Sequence, residues 1–314
     1  MIEIFYYENK KIHKGTVKDL KKLKDKKIWV DILEMTAEEE ELIKKTFKLH
    51  PLTSEDLFSR VTRIKVEEFP NYLFCVFYGI QKNDSIELVE LDFVLGKNFL
   101  ITNCRKEIES FEHLKNHEKK LKNLFVKGTD FLFHRLLDAE VDNFFVVLDT
   151  IDDDIEEIEE GVTKKPTPEL LSKILKLKRL VVLIKKSVMP QREKLSFLTK
   201  NDYPLISKKA IPYFRDIYDH SIRVSDTVDN YRDAMSSTFD AYMSSVSNSM
   251  NEVMKVLSII ATIALPLTVV SGIYGTNFLV LPGSTTHYGF WIMISFMVIM
   301  SVSMLYYFRR RGWF

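Results

Sequence analysis

The stretch VLSIIATIALPLTVVSGIY, residues 256–274, carries no charged side chain, and neither does the segment from Phe278 to Phe308. An uncharged run of ~20 apolar-rich residues is long enough to cross a ~30 Å hydrocarbon layer as a helix, so two membrane-spanning helices are predicted. The second, over 288–308, has Trp291 near one end and Tyr306 and Tyr307 near the other, where amphipathic rings favour the interface. Arg309, Arg310 and Arg311 follow at once and predict a cytoplasmic C-terminus. The connection from Gly275 to His287 contains no Lys, Arg, Asp or Glu, which makes the hairpin inside–outside–inside and places the large N-terminal part in the cytoplasm. Pro266 lacks an N–H and crowds the preceding turn, so a bend or a loosened turn is expected there.

Upstream, Tyr213 to Tyr274 has no proline before Pro266 and no glycine before Gly272. The span is predicted to be one helix that projects tens of ångströms beyond a bilayer at ~1.5 Å per residue. Its outer half carries Asp226, Asp229, Asn230, Asp233, Ser237, Asp240, Ser244, Ser247, Asn248 and Asn251, a polar line that a simple anchor does not need. Asp240, Ser244, Ser247, Asn251, Met254, Ser258, Ala261, Leu265, Thr268 and Gly272 recur every three or four residues and so share one narrow face. Copies packed around an axis with this face inward would enclose a pore with acidic and amide rings below and a hydrophobic gate above. The same small residues also suit a self-associating anchor. After the helix, Ser271 to Phe278 offers glycines for close approach and the oxygens of Thr276 and Asn277. Neutral oxygens can hydrogen-bond the tightly held water shell of Mg²⁺, and they equally suit an ordinary turn.

The 314 residues are 28% charged with a formal charge of +1, which gives no global electrostatic case for nucleic acid. Enough chain precedes the apolar hairpin to bury a substantial core. Cys75 and Cys104 read as reduced, ordinary residues, and the N-terminus lacks the apolar region of a signal peptide.

Ile2 to Tyr7 and Lys27 to Leu33 read as short strands around a basic helix or loop at Lys18 to Lys27. Thr36 and Glu39 form a capping box for a helix through Phe47, His50-Pro51 breaks it, and Thr53 or Ser54 is expected to cap a short helix around Glu55 to Leu57. Strands are predicted over Tyr72–Ile80, Ser85–Leu95 and Phe99–Cys104, which makes an α/β domain. Leu114–Leu124 and Asp130–Glu160 read as helices, the latter ending in the acidic run IDDDIEEIEE. The basic stretch Glu169–Lys200, with Lys173, Lys176, Lys178, Arg179, Lys185 and Lys186, follows as its hairpin partner. The charges read either as solvated faces or as acidic tips that hold cations. No nucleophile–base group or metal-ligand motif points to an enzyme; His134 and His220 read as ordinary helix residues, and Phe144, Phe145, Tyr213 and Phe214 as core or interface.

The run MKVLSIIATIALPLTVVSGIYGTNF, residues 254–278, followed by a second apolar segment and a basic tail, closely resembles the CorA-type magnesium and divalent cation transporter family. Trp29-Val30-Asp31, His50-Pro51-Leu52, Glu55-Asp56, Arg63 to Glu67 and Tyr213 to Asp216 are similar to its cytoplasmic landmarks, so the resemblance spans essentially the whole chain. It implies a funnel-shaped homopentamer in the cell membrane: an α/β cytoplasmic domain, a very long stalk and pore helix, and a second transmembrane helix around it. The chain then divides into an N-terminal domain (1–125), a helical hairpin (126–205), the stalk helix (206–275, spanning the membrane at about 253–274), an extracytoplasmic loop (276–287), the second span (288–308) and a tail (309–314).

The family's loop tripeptide Gly-Met-Asn corresponds to Gly275, Thr276 and Asn277, with Asn277 expected to form the selectivity ring. The pore positions implied are Gly272, Thr268, Leu265, Ala261, Ser258, Leu257, Met254, Asn251 and Asp240, with Met254 and Leu257 the hydrophobic constriction. Asp56 and Asp216 look like the carboxylates that hold a regulatory cation between subunits. The implied cargo is Mg²⁺, with Co²⁺, Ni²⁺ or Zn²⁺ as alternatives, and a membrane-anchored metal sensor is the non-conducting alternative; no nucleic-acid or obligate protein partner is expected. Two positions depart from the pattern. Thr276 replaces a thioether by a branched hydroxyl, which bears on cation preference, and Pro282-Gly283-Ser284 lacks the acidic residue that often follows the proline.

Overall fold

The computed structural model describes residues 2–23, 25–33, 36–58, 62–82, 85–200, 203–278, 281–283 and 286–313. Two compact units are found, Met1–Gly161 with Thr167–Phe239, and Val162–Pro166 with Asp240–Phe314. Ser284 of the predicted loop lies outside the described residues.

The first unit is built on a seven-stranded sheet in the order β2-β1-β3-β7-β6-β5-β4. The strands are β1 (Ile2–Glu8), β2 (Lys11–Gly15), β3 (Lys27–Ile32), β4 (Lys65–Phe69), β5 (Tyr72–Lys82), β6 (Ile86–Gly96) and β7 (Phe99–Cys104). All neighbours pair antiparallel except β3 with β7. The period-2 alternation of β5 explains the two cores. Leu73, Cys75 and Phe77 join Trp29, Phe93, Phe133 and Phe214 on one side, while Tyr72, Phe74 and Val76 join Val30, Phe47 and Ile101 on the other. Buried on both faces, β5 reads as a near-continuous apolar run.

Two strands escaped the sequence reading. β2 follows a two-residue turn in which Asn9 and Lys10 both have positive φ (51° and 63°), the geometry of a tight hairpin without the glycine that usually signals it. β4, KVEEF, is an edge strand with three polar residues of five, too polar to stand out. The helix α1 (Leu20–Leu23) sits in the predicted basic connection. The helix α2 (Ala37–Phe47) begins with the expected capping box: the Glu39 amide donates to Thr36 Oγ1, and the Glu39 carboxylate accepts from the Thr36 amide at 2.8 Å. The cap of α3 (Pro51–Phe58) differs from expectation. His50 takes that place, accepting from the Leu52 amide through Nδ1, and Pro51 opens the helix. Thr53 and Ser54 are buried inside α3, where Thr53 Oγ1 bonds the Tyr72 hydroxyl at 2.8 Å.

The single helix expected over Leu114–Leu124 is two, α4 (Glu109–Lys115) and α5 (Glu118–Lys127), which break at Asn116 and His117. The acidic α6 (Thr129–Lys164) and basic α7 (Pro168–Lys200) are joined near the turn by Glu157 and Lys173 at 2.7 Å. Leu170 lies so close to Gly161 that an added Cβ would meet its methyl carbon at 3.0 Å. α8 (Ile211–Tyr274) is one helix of 64 residues that continues through Pro266, and α9 (Gly289–Arg310) is the second apolar helix. Beyond α9 the chain turns back: Gly312 has φ 72°, the Trp313 amide donates to the Phe308 carbonyl, and the two rings stack at 5.2 Å.

Within the first unit, Lys115 Nζ lies 2.7 Å from Glu3, 2.5 Å from Asp31 and 2.5 Å from Glu112, and its side chain is 7% exposed. Burial works against its charge, but these carboxylates outweigh burial and raise its pKa. Asp31 in turn accepts from Thr102 Oγ1, which accepts from the Trp29 indole at 2.9 Å, so the ion cluster is anchored to the core.

Two other buried carboxyl groups, Asp92 and Glu140, are governed by burial, which Arg105 offsets in part at Asp92. Burial pushes Asp92 up to about 8, although Asn103 Nδ2 donates to it at 2.9 Å, and pushes Glu140 up to about 7, although Ser110 Oγ donates to it at 2.5 Å. Both pKa values are raised above the ~4 of an unfolded chain, so their contribution is intact below pH ~4 and is lost as pH rises through about 7 for Glu140 and 8 for Asp92. The expected result is that the pair Asp92→Asn and Glu140→Gln gains thermal stability relative to the parent at pH 8 and loses that advantage at pH 4. Melting curves at the two pH values check it, and a pH-independent difference refutes the assignment.

Candidate functional site

In the second unit, the face singled out by periodicity is open along its whole length. Asp240, Ser244, Ser247, Asn251, Met254, Ser258, Ala261, Leu265, Thr268 and Gly272 are all exposed. From Asn251 to Tyr274 only Ile259 is buried, Lys255, Ile263, Pro266, Leu267 and Val270 are partly covered, and off-ridge residues such as Val253, Val256, Ile260 and Val269 are exposed as well. Ser244 and Thr268 donate their hydroxyls to the carbonyls of Asp240 (3.0 Å) and Ala264 (2.9 Å), which leaves their oxygen lone pairs to face outward as acceptors. Met254 and Leu257, the expected constriction, are 56% and 55% exposed, a cost for apolar side chains in water that a lipid or neighbouring-helix environment removes.

At the C-terminal end of α8, the Thr276 hydroxyl and amide both donate to the Ile273 carbonyl, at 2.7 and 3.2 Å, and the Gly275 amide donates to Ser271 at 2.9 Å. Thr276 thus closes the helix, satisfying a carbonyl that a thioether cannot reach with a donor. Tyr274 Oη donates to the Pro282 carbonyl at 2.9 Å and ties the returning loop to the helix end. Asn277 follows as an exposed residue.

In the first unit, Asp56 lies on α3 with its carboxylate against Lys65 Nζ and its carbonyl accepting from Thr62 Oγ1 at 3.2 Å. Asp216 is exposed on α8, 4.0 Å from His220 Nε2. His220 is satisfied within the fold, its Nδ1 2.8 Å from Asp142, and Asp138, Asp142 and His220 offer ligand atoms within 4.8 Å of one another. Arg135 holds Asp138 at 2.9 Å. Burial raises the Asp138 pKa, His134 and Arg135 lowering it and Asp142 adding to the rise, so a bound cation would relieve the group. The sequence reading missed Asp138 and Asp142. Their i,i+4 spacing, matched by Asp216 and His220, was the available signal, but nothing in the sequence joined α6 to α8.

Long apolar helices, an exposed polar-to-apolar ridge and a carboxylate–imidazole cluster on an α/β unit describe an ion-handling membrane protein rather than an enzyme. The chain matches the family described as CorA-like Mg²⁺ transporter protein over residues 24–310, and it belongs to that family. It is 40% identical over 271 residues to the cobalt/magnesium transport protein CorA of Thermotoga maritima, covering 85% of this chain and 77% of that protein. Its fold is similar to the complete structure of the CorA magnesium transporter from Methanocaldococcus jannaschii, with a TM-score of 0.88 at 24% identity over 100% and 99% of the two chains. The ZntB cytoplasmic domain from Vibrio parahaemolyticus matches 78% of this chain and 98% of its own at a TM-score of 0.66, which shows the fold of that part alone.

Proposed function

We propose that copies of this chain, five as the family resemblance implies, surround an axis with the Asp240-to-Gly272 ridge inward and conduct hydrated Mg²⁺ passively into the cell. The observation that carries this reading is the recurrence, every three or four residues along α8, of an exposed line that runs from polar at Asp240 to small and apolar towards Gly272. The six segments from 1–125 to 309–314 serve as domain, hairpin, stalk, mouth, outer span and tail, with both ends cytoplasmic. Asn277 amides and the Gly275 and Thr276 backbone screen the incoming ion by hydrogen bonds to its water shell. The ion passes Gly272, Thr268, Leu265, Ala261 and Ser258 and meets Met254 and Leu257, an apolar ring that blocks by dewetting when narrow. Asn251 and Asp240 receive it beyond. A potential supplies ~2.3 kcal/mol per charge per 100 mV, doubled for a divalent ion, which suffices without nucleotide hydrolysis.

Feedback is assigned to Asp56 and Asp216. A cation between them competes with Lys65 for Asp56 and neutralises carboxylates that otherwise repel, favouring a closed assembly; low internal Mg²⁺ releases it. His220 beside Asp138 and Asp142 favours a second reading, preference for Zn²⁺, Co²⁺ or Ni²⁺, because imidazole suits borderline d-block ions better than Mg²⁺. The names of relatives, which include both cobalt and magnesium, leave both cargoes in play. Flux into reconstituted vesicles, with each of the four ions competing against the others, separates the readings: Mg²⁺ flux resistant to equimolar Zn²⁺ supports the first, and Mg²⁺ exclusion overturns it.

A further inference from the structure

The kink between α4 and α5 brings two imidazoles together. The rings of His113 and His117 stack with centroids 4.1 Å apart and planes 29° from parallel, and both residues are exposed. His117 Nδ1 lies 2.7 Å from the His113 carbonyl oxygen. A carbonyl only accepts, so Nδ1 carries the proton and Nε2 of the neutral ring keeps its lone pair. This is the arrangement by which a ligating histidine is usually oriented, one nitrogen donating to a backbone carbonyl and the other turned to a metal.

We propose that His113 and His117 form a binding site for a borderline d-block divalent cation, Zn²⁺, Co²⁺ or Ni²⁺, on the surface of the N-terminal unit. The site is separate from the Asp138, Asp142 and His220 cluster and does not depend on the transport reading. With His117 held by its bond to the backbone, rotation of the exposed His113 ring out of the stack would bring one of its nitrogens and His117 Nε2 to the ~2.0–2.1 Å that such ions require, with water completing the shell. The surroundings set the selectivity. His113 lines a cleft with Glu109, Lys120 and Arg135, the last already paired with Asp138. With Arg135 neutralised by Asp138 and Glu109 set against Lys120, the cleft exerts little electrostatic pull, so Mg²⁺, which demands hard oxygen ligands, is not retained, whereas imidazole donors hold a d-block ion through the strength of the metal–nitrogen bond. The ion bridges the end of α4 and the start of α5 across Asn116.

The test uses the full chain in lipid nanodiscs, in saturating Mg²⁺ and in a His220→Ala background that removes the other imidazole cluster. Calorimetric titration with Ni²⁺ is expected to find one ion per chain that the His113→Ala, His117→Ala double variant lacks. Each single variant is expected to weaken it by about tenfold or more. Ni²⁺ should slow amide exchange over 113–118 in the parent and not in the double variant. His117→Asn, which keeps a polar donor at the kink, guards against a loss caused by unfolding and should also lose the ion. Equal Ni²⁺ stoichiometry and affinity in parent and double variant, or binding without slower exchange at the kink, overturns the site.

Discussion

Replacing Asn277 by leucine is expected to lower Mg²⁺ flux about a thousandfold in reconstituted vesicles while leaving assembly intact. Leucine keeps the size of the side chain and removes its amide. A neutral hydrogen bond is worth about 1 kcal/mol net, so losing about four such bonds to the water shell of the ion in the proposed ring costs ~4 kcal/mol, a factor of about a thousand. The helix end should survive, because Thr276 and Gly275, not Asn277, satisfy the last carbonyls of α8, and Tyr274 holds the loop through Pro282. Dye-reported uptake, with assembly checked by size-exclusion chromatography, measures the effect; flux within a factor of two of the parent would remove Asn277 from the selectivity role.

The second large effect is on stability. Lys115→Met is expected to destabilise the N-terminal unit by about 3–5 kcal/mol, because it leaves Glu3, Asp31 and Glu112 facing one another with no ammonium between them. Methionine keeps an apolar stem of similar length and removes the ammonium, which also lies over the Trp29 ring at 6.0 Å, so the change takes away charge with little loss of side-chain volume. At ~2–4 °C per kcal/mol for a unit of this size, the melting temperature should fall by roughly 10 °C. The deficit should shrink in acid, where the carboxylates protonate. A melting temperature unchanged at neutral pH would mean that the three carboxylates find other partners.

Hydropathy and helical spacing were sufficient for α8, α9 and the ridge, because those signals are local: absence of charge over one stretch, recurrence at three and four over another. The capping box of α2 was legible for the same reason. What escaped the sequence depends on chain elements that meet only in space. His220 looks ordinary along α8 and becomes part of a cluster only when α6 supplies Asp138 and Asp142. β2 hid behind a turn made from Asn9 and Lys10, and β4 behind its charge at the sheet edge, while His50 served as a cap with a ring nitrogen where Thr53 and Ser54 offered the commoner hydroxyls. Asp56 carried no sign that Lys65, nine residues on, would already hold it. Thr276 stood out as a departure from the family's methionine; its bond to Ile273 supplies the compensating structural use.

Among the described residues nothing covers the ridge on α8, so under the proposed assembly every channel is a shared construction, and its output is that of its worst member. A cell that expresses the parent together with a variant blocked at Met254 or Leu257 would therefore lose far more uptake than the dose of the variant suggests, since most rings would recruit at least one faulty copy. Such poisoning, read in a growth assay on limiting magnesium, turns a geometric fact about one helix into a genetic phenotype.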